Sequence, residues 1–198
     1  WLSGLLADFV LAHPQVTMEV EYSDRFVDLV AEGFDAAIRI GELADSRLVA
    51  KKLCDHLRIL CASPEYLAKH PTLQVPADLA EHNCMGFSGL RSFPEWNLTA
   101  GARHVSVKVS GSLRSNDNEA LLEAARRGVG IIAGGDWLMI EDLAAGRLVR
   151  VLPDWQLDVT AGIYLVRPSA RLHTAAVGAL KDWLQRSFHS GPPWRIKA

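Results

Sequence analysis

Two similar α/β lobes are expected from this sequence, on three grounds. A pattern of strand, polar cap, helix, glycine and apolar strand occurs twice, over residues 16–41 and again over 105–135. Between the copies, LVAKKLCDHLRILCAS (48–63) stays extended for about 15 residues, roughly 50 Å at 3.3 Å per residue, too long for one strand of a small lobe. A chain passing from one lobe to the other has this character, and IYLVRP (163–168) is the candidate return.

The elements follow in order. Leu2, Leu5, Leu6, Phe9 and Val10 share one helical face, and His13-Pro14 stops that helix. VTMEVEY then alternates, with Val16, Met18, Val20 and Tyr22 on one side, as a half-buried strand does. Ser23 or Asp24 can cap a following helix whose apolar face is Phe26, Leu29 and Val30, with Gly33 as its left-handed terminator. AAIRI is a short buried strand. Strand, helix and strand within about 25 residues imply parallel strands joined by a right-handed crossover.

In the second copy, Val105, Val107 and Val109 mark a strand and Ser115-Asn116-Asp117-Asn118 a cap cluster. Leu121, Leu122, Ala124 and Ala125 face inward along a helix that stops at Gly128, and the apolar strand 130–133 runs to Gly134-Gly135. Ser63-Pro64 starts a helix, since proline suits a first turn. The last helix spans about 173–188, packing Ala176, Leu180, Trp183, Leu184 and Phe188, and SGPPW is loop. With two crossings, lobe I holds 1–55 and 162–198 and lobe II holds 56–161.

Composition narrows the function. The 198 residues are 49% hydrophobic and 22% charged, ample for a core and unlike a disordered chain. No apolar stretch approaches the roughly 18 residues of a membrane span. Net charge is −2 without a basic cluster, so this chain by itself is a poor DNA binder. It opens on Trp1 inside an amphipathic helix, which reads as a fragment lacking sequence on its N-terminal side. Three cysteines, Cys54, Cys61 and Cys84, lack paired spacing and suit buried, reduced thiols of a cytoplasmic protein.

No catalytic order or metal motif emerges from the seven scattered histidines, at 13, 56, 70, 82, 104, 173 and 189. Cys54 and His56 share a strand face but have no second ligand pair, so no metal, cofactor or catalysis is expected. Glycines 128 and 130 follow a helix and so form no phosphate loop, Trp137 and Trp155 read as packing, and Lys51-Lys52 and Arg126-Arg127 as solvated faces.

Ligands of open α/β sheets bind at the carboxyl ends of parallel strands. Ser23, Arg39, Gly41, Asn116, Asn118 and Gly134 fall at such ends, with Ile40 and Gly135 beside them. Arg39 is the sharpest candidate, because a strand built for burial ends on a guanidinium. It meets either a ligand carboxylate, helped by N–H groups near Ser23, or a neighbour such as Asp35 or Glu42. Ser23, Asn116 and Asn118 also suit plain helix capping, and Asp24 and Asp117 would repel an anion.

The runs DLVAEGFDAAIRIGEL, DSRLVAKKL, LCASPEYLAKH, PADLAEHNC and DLAAGRLVRVLPDW, in this order along nearly the whole chain, resemble the effector-binding domain of LysR-type transcriptional regulators. The resemblance implies a type 2 periplasmic-binding-protein-like fold: two Rossmann-like lobes joined by two crossing strands. It implies a small effector, often an organic or aromatic acid, held between the lobes, and a homodimer or homotetramer. Promoter DNA would be met only through an N-terminal winged helix-turn-helix outside this chain. The first core strand of lobe I, whose following loop usually touches the effector, is also outside it. Gly134-Gly135 stands where the family often has Leu-Pro. The rival readings are a transport-type solute-binding protein on the same fold, an enzyme on the same scaffold, and a thiol-based redox sensor using Cys61 and Cys84.

Overall fold

A computed structural model describes residues 1–25, 27–41, 43, 48–90, 92–158, 162–169 and 174–194. In chain order the elements begin with α1 (Leu2–Ala12), β1 (Ala37–Gly41), β2 (Leu48–Asp55), β3 (Arg58–Ala62), α2 (Pro64–Ala68) and β4 (Cys84–Phe87). Then come β5 (Glu95–Ala100), β6 (Arg103–Lys108), β7 (Arg114–Ser115), α3 (Asn118–Arg126), β8 (Ile131–Gly135) and α4 (Asp136–Ala144). The chain finishes with β9 (Val149–Arg150), β10 (Gln156–Leu157), β11 (Gly162–Pro168) and α5 (Ala175–Phe188). They form two compact units: Trp1–His56 with Thr160–Ala198, and Leu57–Val159.

In the first unit the sheet order is β1-β11-β2, and both pairings are antiparallel. Ile163, Leu165 and Val166 of the central strand are buried. Leu6 and Phe9 of α1 are buried too, and the Trp183 indole of α5 donates to the Leu5 carbonyl at 3.2 Å, tying the two helices together. Trp1, Phe188 and Trp194 cluster with ring centroids 5.0–6.0 Å apart, so the C-terminal loop carries a buried anchor that its polar composition hid.

Three expectations for this unit fail. Residues 16–22 form no strand: Val20 and Tyr22 are exposed, because no described strand runs beside them to accept a ladder. Among the described residues the capped helix after Ser23 shrinks to a single turn at 29–33; its cap is Asp28, whose carboxylate accepts from the Val30 and Ala31 N–H groups, and Gly33 closes it with φ +82°. Phe26 lies outside the described residues. The parallel crossover therefore does not appear; β1 pairs instead with a strand from the far end of the chain.

The second unit holds a five-stranded sheet, β7-β4-β8-β3-β9, and an antiparallel ribbon, β10-β5-β6. β7, β4 and β8 are parallel, and β3 runs against β8 and β9. This is the predicted crossover architecture, but the strand leading into α3 is the two-residue β7. The valine-rich strand belongs to the ribbon.

Both sheet faces are covered, which is why RILCA and IIA read as continuous apolar runs. Leu60, Ala62, Ile131 and Ala133 turn to a core shared with Trp96, Leu98 and Val107 of the ribbon. Ile59, Cys61 and Ile132 turn the other way, onto Leu121, Leu122 and Ala125 of α3 and Met139 of α4. α3 starts on Asp117, whose carboxylate accepts from the Glu119 and Ala120 N–H groups, and ends before Gly128, at φ +74°. α2 starts as expected, with the Ser63 hydroxyl accepting from the Tyr66 N–H. Arg126 is not a solvated residue: it is ion-paired to Asp142, which is fully buried.

Candidate functional site

The sequence-predicted residues fall into two groups, one per unit. In the first unit, Arg39 lies half-buried on β1 opposite Tyr164. Its Nη2 donates to the Val27 carbonyl at 2.7 Å, so the guanidinium fastens the segment before the Asp28 turn; Glu42, one of its expected partners, lies outside the described residues. Ile40 is half-buried opposite Ile163, and Gly41, at φ +124°, is opposite Gly162. Ser23 is exposed, and its hydroxyl accepts from the Arg25 N–H at 3.2 Å, so it caps no helix.

In the second unit one sheet edge gathers the strand ends. β7 ends at Ser115, and β4 ends at Phe87, its register partner. β8 ends at Gly134-Gly135, and antiparallel β3 begins there, Arg58 being paired with Gly135. Asn116 is exposed in the turn after β7, while Asn118 is the half-buried first residue of α3. Gly134 and Gly135 are buried. The Asp117 carboxylate is engaged by helix N–H groups, and α4 starts at this edge too.

Sequence reasoning missed two residues here. Arg58 is half-buried; its Nε and Nη1 atoms are shut from solvent without a hydrogen-bond partner, and its guanidinium lies 5.6 Å from the Phe87 ring centre. Burial pulls its pKa below the usual arginine value. Trp137, expected only to pack, has an indole Nε1–H that is also buried without a partner. A Cβ on Gly135 would sit 2.2 Å from that nitrogen, so glycine is what admits the indole. The signal that could have found Arg58 is the one that found Arg39: a guanidinium at the end of a run built for burial.

The thiols do not come together. Cys61 and Cys84 flank β8 on neighbouring strands and face opposite cores. Burial pushes each thiol up to about 12, with Arg150 partly offsetting it at Cys61, so both are protonated near neutrality. All three cysteines are free. His56 is buried just beyond the end of β2, and among the described residues no group of three or more His, Cys, Asp or Glu could hold a metal ion. Nor, among them, is any helix long and apolar enough to cross a membrane.

Residues 1–189 match the family model described as the LysR substrate binding domain. The HTH-type transcriptional regulator PtxR of Pseudomonas aeruginosa is 35% identical over 191 residues, 96% of this chain and 61% of PtxR. DmlR of Escherichia coli, also an HTH-type transcriptional regulator, is 35% identical over 89% of this chain and 57% of its own length. The chain thus spans about three fifths of these relatives. The regulatory domain of CrgA, a LysR-type transcriptional regulator from Neisseria meningitidis, superposes with a TM-score of 0.83 at 32% identity, covering 94% of this chain and 91% of that one. The effector domain of AmpR from Pseudomonas aeruginosa gives 0.81 at 28% identity, with 96% and 89% covered. The fold is that of LysR-type regulatory domains, the type 2 periplasmic-binding-protein-like class expected from the sequence.

Proposed function

Because the chain belongs to the LysR substrate-binding domain family, we propose that it is the effector-sensing and oligomerising part of a cytoplasmic LysR-type transcriptional regulator. The observation that carries this reading is the family match over residues 1–189. In this reading the chain binds without catalysis. Promoter DNA is contacted by a winged helix-turn-helix elsewhere in the regulator, and the effector sets how that domain sits on DNA within a homodimer or homotetramer.

The proposed effector contacts are Ser23, Arg39, Ile40 and Gly41 from the first unit, and Asn116, Asn118, Gly134 and Gly135 from the second. The support for seven of them is positional: Arg39, Ile40 and Gly41 finish β1, Gly134 and Gly135 finish β8, and Asn116 and Asn118 flank the start of α3, where backbone N–H groups and small residues leave room for a ligand, whereas Ser23 lies beside no described strand end or helix start. A ligand does regulatory work only through its difference in affinity between two arrangements of the protein. A thermal-shift screen of small acids, amines and neutral compounds tests the reading, followed by gel shifts of a form that carries the DNA-binding domain. A hit that changes operator affinity supports it; hits that are turned over, or that leave operator affinity untouched, overturn it. Arg39→Ala should weaken the hits it contacts, and equal stabilisation of that variant would remove Arg39 from the site.

A further inference from the structure

The least explained group in the molecule is Arg58. A buried N–H without a partner is costly, by about 1–3 kcal/mol for a neutral group and more for a charged one, so native proteins rarely leave one dry. Arg58 has two such nitrogens, Nε and Nη1, and among the described residues no carboxylate forms an ion pair with it. Its antiparallel partner is Gly135, so the side chain of Arg58 and the missing side chain of Gly135 project from the same face of the sheet. On that face the Trp137 indole takes the glycine's place, its own N–H unpartnered. Phe87 completes the surroundings beneath the guanidinium. Three partnerless donors and two aromatic rings therefore converge on one edge of the second unit, all on residues that the family-level reading of the sequence did not select.

We propose that Arg58 is the anion-binding residue of a subsite at this edge, taking a small monocarboxylate whose apolar part rests on Phe87 and Trp137. The proposal rests on the effector-sensing reading and names the ligand class of that same site. A carboxylate accepts charge-assisted hydrogen bonds from the guanidinium and a further one from the indole N–H. A single negative charge is repelled less here than a double one. Arg58 supplies one positive charge, and Asp136 and Asp117 stand at the starts of the adjacent helices, where they disfavour a dianion such as phosphate. The rings favour a ligand with an apolar body over a bare inorganic anion.

Isothermal titration of the protein with phenylacetate, neutral phenylacetamide and phenyl phosphate at about pH 8, where the last is a dianion, tests this directly. Phenylacetate binds, and both of the others bind at least about tenfold more weakly, a difference of about 1.4 kcal/mol. Arg58→Gln lowers phenylacetate affinity by at least about tenfold, since truncating one partner of a desolvated charge pair removes that much or more. Arg103→Gln, whose side chain lies on Trp155, leaves it unchanged. Should Arg58→Gln fail to fold, Arg58→Lys keeps the charge, and the Trp137 indole N–H resonance of the unmutated protein must shift on adding phenylacetate. Absence of phenylacetate binding at millimolar concentration, equal binding of the amide, tighter binding of the phosphate, full binding by Arg58→Gln, or an unmoved Trp137 indole resonance each overturns the proposal. If screening hits alter operator affinity but ignore Arg58, this inference falls and the sensing reading stands. If phenylacetate binds through Arg58 without altering operator affinity, the subsite stands and its regulatory meaning falls.

Discussion

Arg126 grips Asp142 through two parallel hydrogen bonds, Nε to Oδ1 at 2.9 Å and Nη2 to Oδ2 at 2.8 Å, and the carboxylate it holds is fully buried. Arg147 donates to the same Oδ1, so α3, α4 and the turn after α4 meet at one charge. Replacing Arg126 with Met leaves that charge only half neutralised. Urea unfolding should show a loss of about 3 kcal/mol, the scale of a broken buried pair. A loss below about 0.5 kcal/mol would place the pair among ordinary surface contacts.

The same carboxylate gives a pH dependence with a definite sign. Burial acts to raise its pKa, but hydrogen bonds from Arg126 and Arg147 outweigh that and hold it below the usual aspartate value. A group with a depressed folded pKa contributes stability that is complete above the unfolded value, near 4, and is lost as pH falls through the folded one. Denaturant midpoints measured from pH 6 downward should therefore decline below about pH 4. Asp142→Asn should flatten part of that decline while being less stable at pH 7.

Asn83 stitches two loops. Its Nδ2 donates to the Ser112 hydroxyl at 2.9 Å and the Val129 carbonyl at 2.7 Å, and its Oδ1 accepts from the Ser112 N–H at 2.7 Å. Asn83→Ala removes all three and leaves backbone groups to find water, at a cost of about 2 kcal/mol. Hydrogen exchange should quicken at Ser112, and unchanged protection there would contradict this role.

A methyl group at position 135 would collide with the Trp137 indole at 2.2 Å. Gly135→Ala should displace that ring, change the intrinsic fluorescence of the folded protein and destabilise it by about 1–3 kcal/mol, as overpacking does. Native-like fluorescence with unaltered stability would mean that the ring is not held there.

Thiol titration offers an independent check of burial. With Cys61 and Cys84 pushed up to about 12, a disulfide reagent near neutral pH should modify at most Cys54 in the folded chain. All three cysteines should react after unfolding in guanidinium. Rapid modification of either buried thiol in the native state would reopen the redox reading.

Several of these features were legible in the residues. Ser63-Pro64, the Asp117 cap cluster, Gly128 and the inward face of α3 carry their instructions within a few positions, and each is where local chemistry puts it. Pairing was not legible. Nothing near AIRIG specifies that Arg39 will lie opposite Tyr164, because β11 arrives 125 positions later, and its neighbours in the sheet are chosen by packing. VTMEVEY has the alternation of a strand, yet without an adjacent ladder its backbone stays single. Arg126 and Arg58 show the same limit for charge. RR at a helix end looks solvated until Asp142, sixteen residues on, is folded beneath it, and the guanidinium heading RILCA is unremarkable until Phe87 and Gly135 close around it.

β8 contributes Ile131 to one core and Ile132 to the other, with a single peptide bond between them. Two hydrophobic clusters that would otherwise melt at separate temperatures are thereby coupled through one strand. Heating the second unit should dissolve both at once, as one calorimetric transition, and a lesion on either face will lower the midpoint of that single transition for the whole unit.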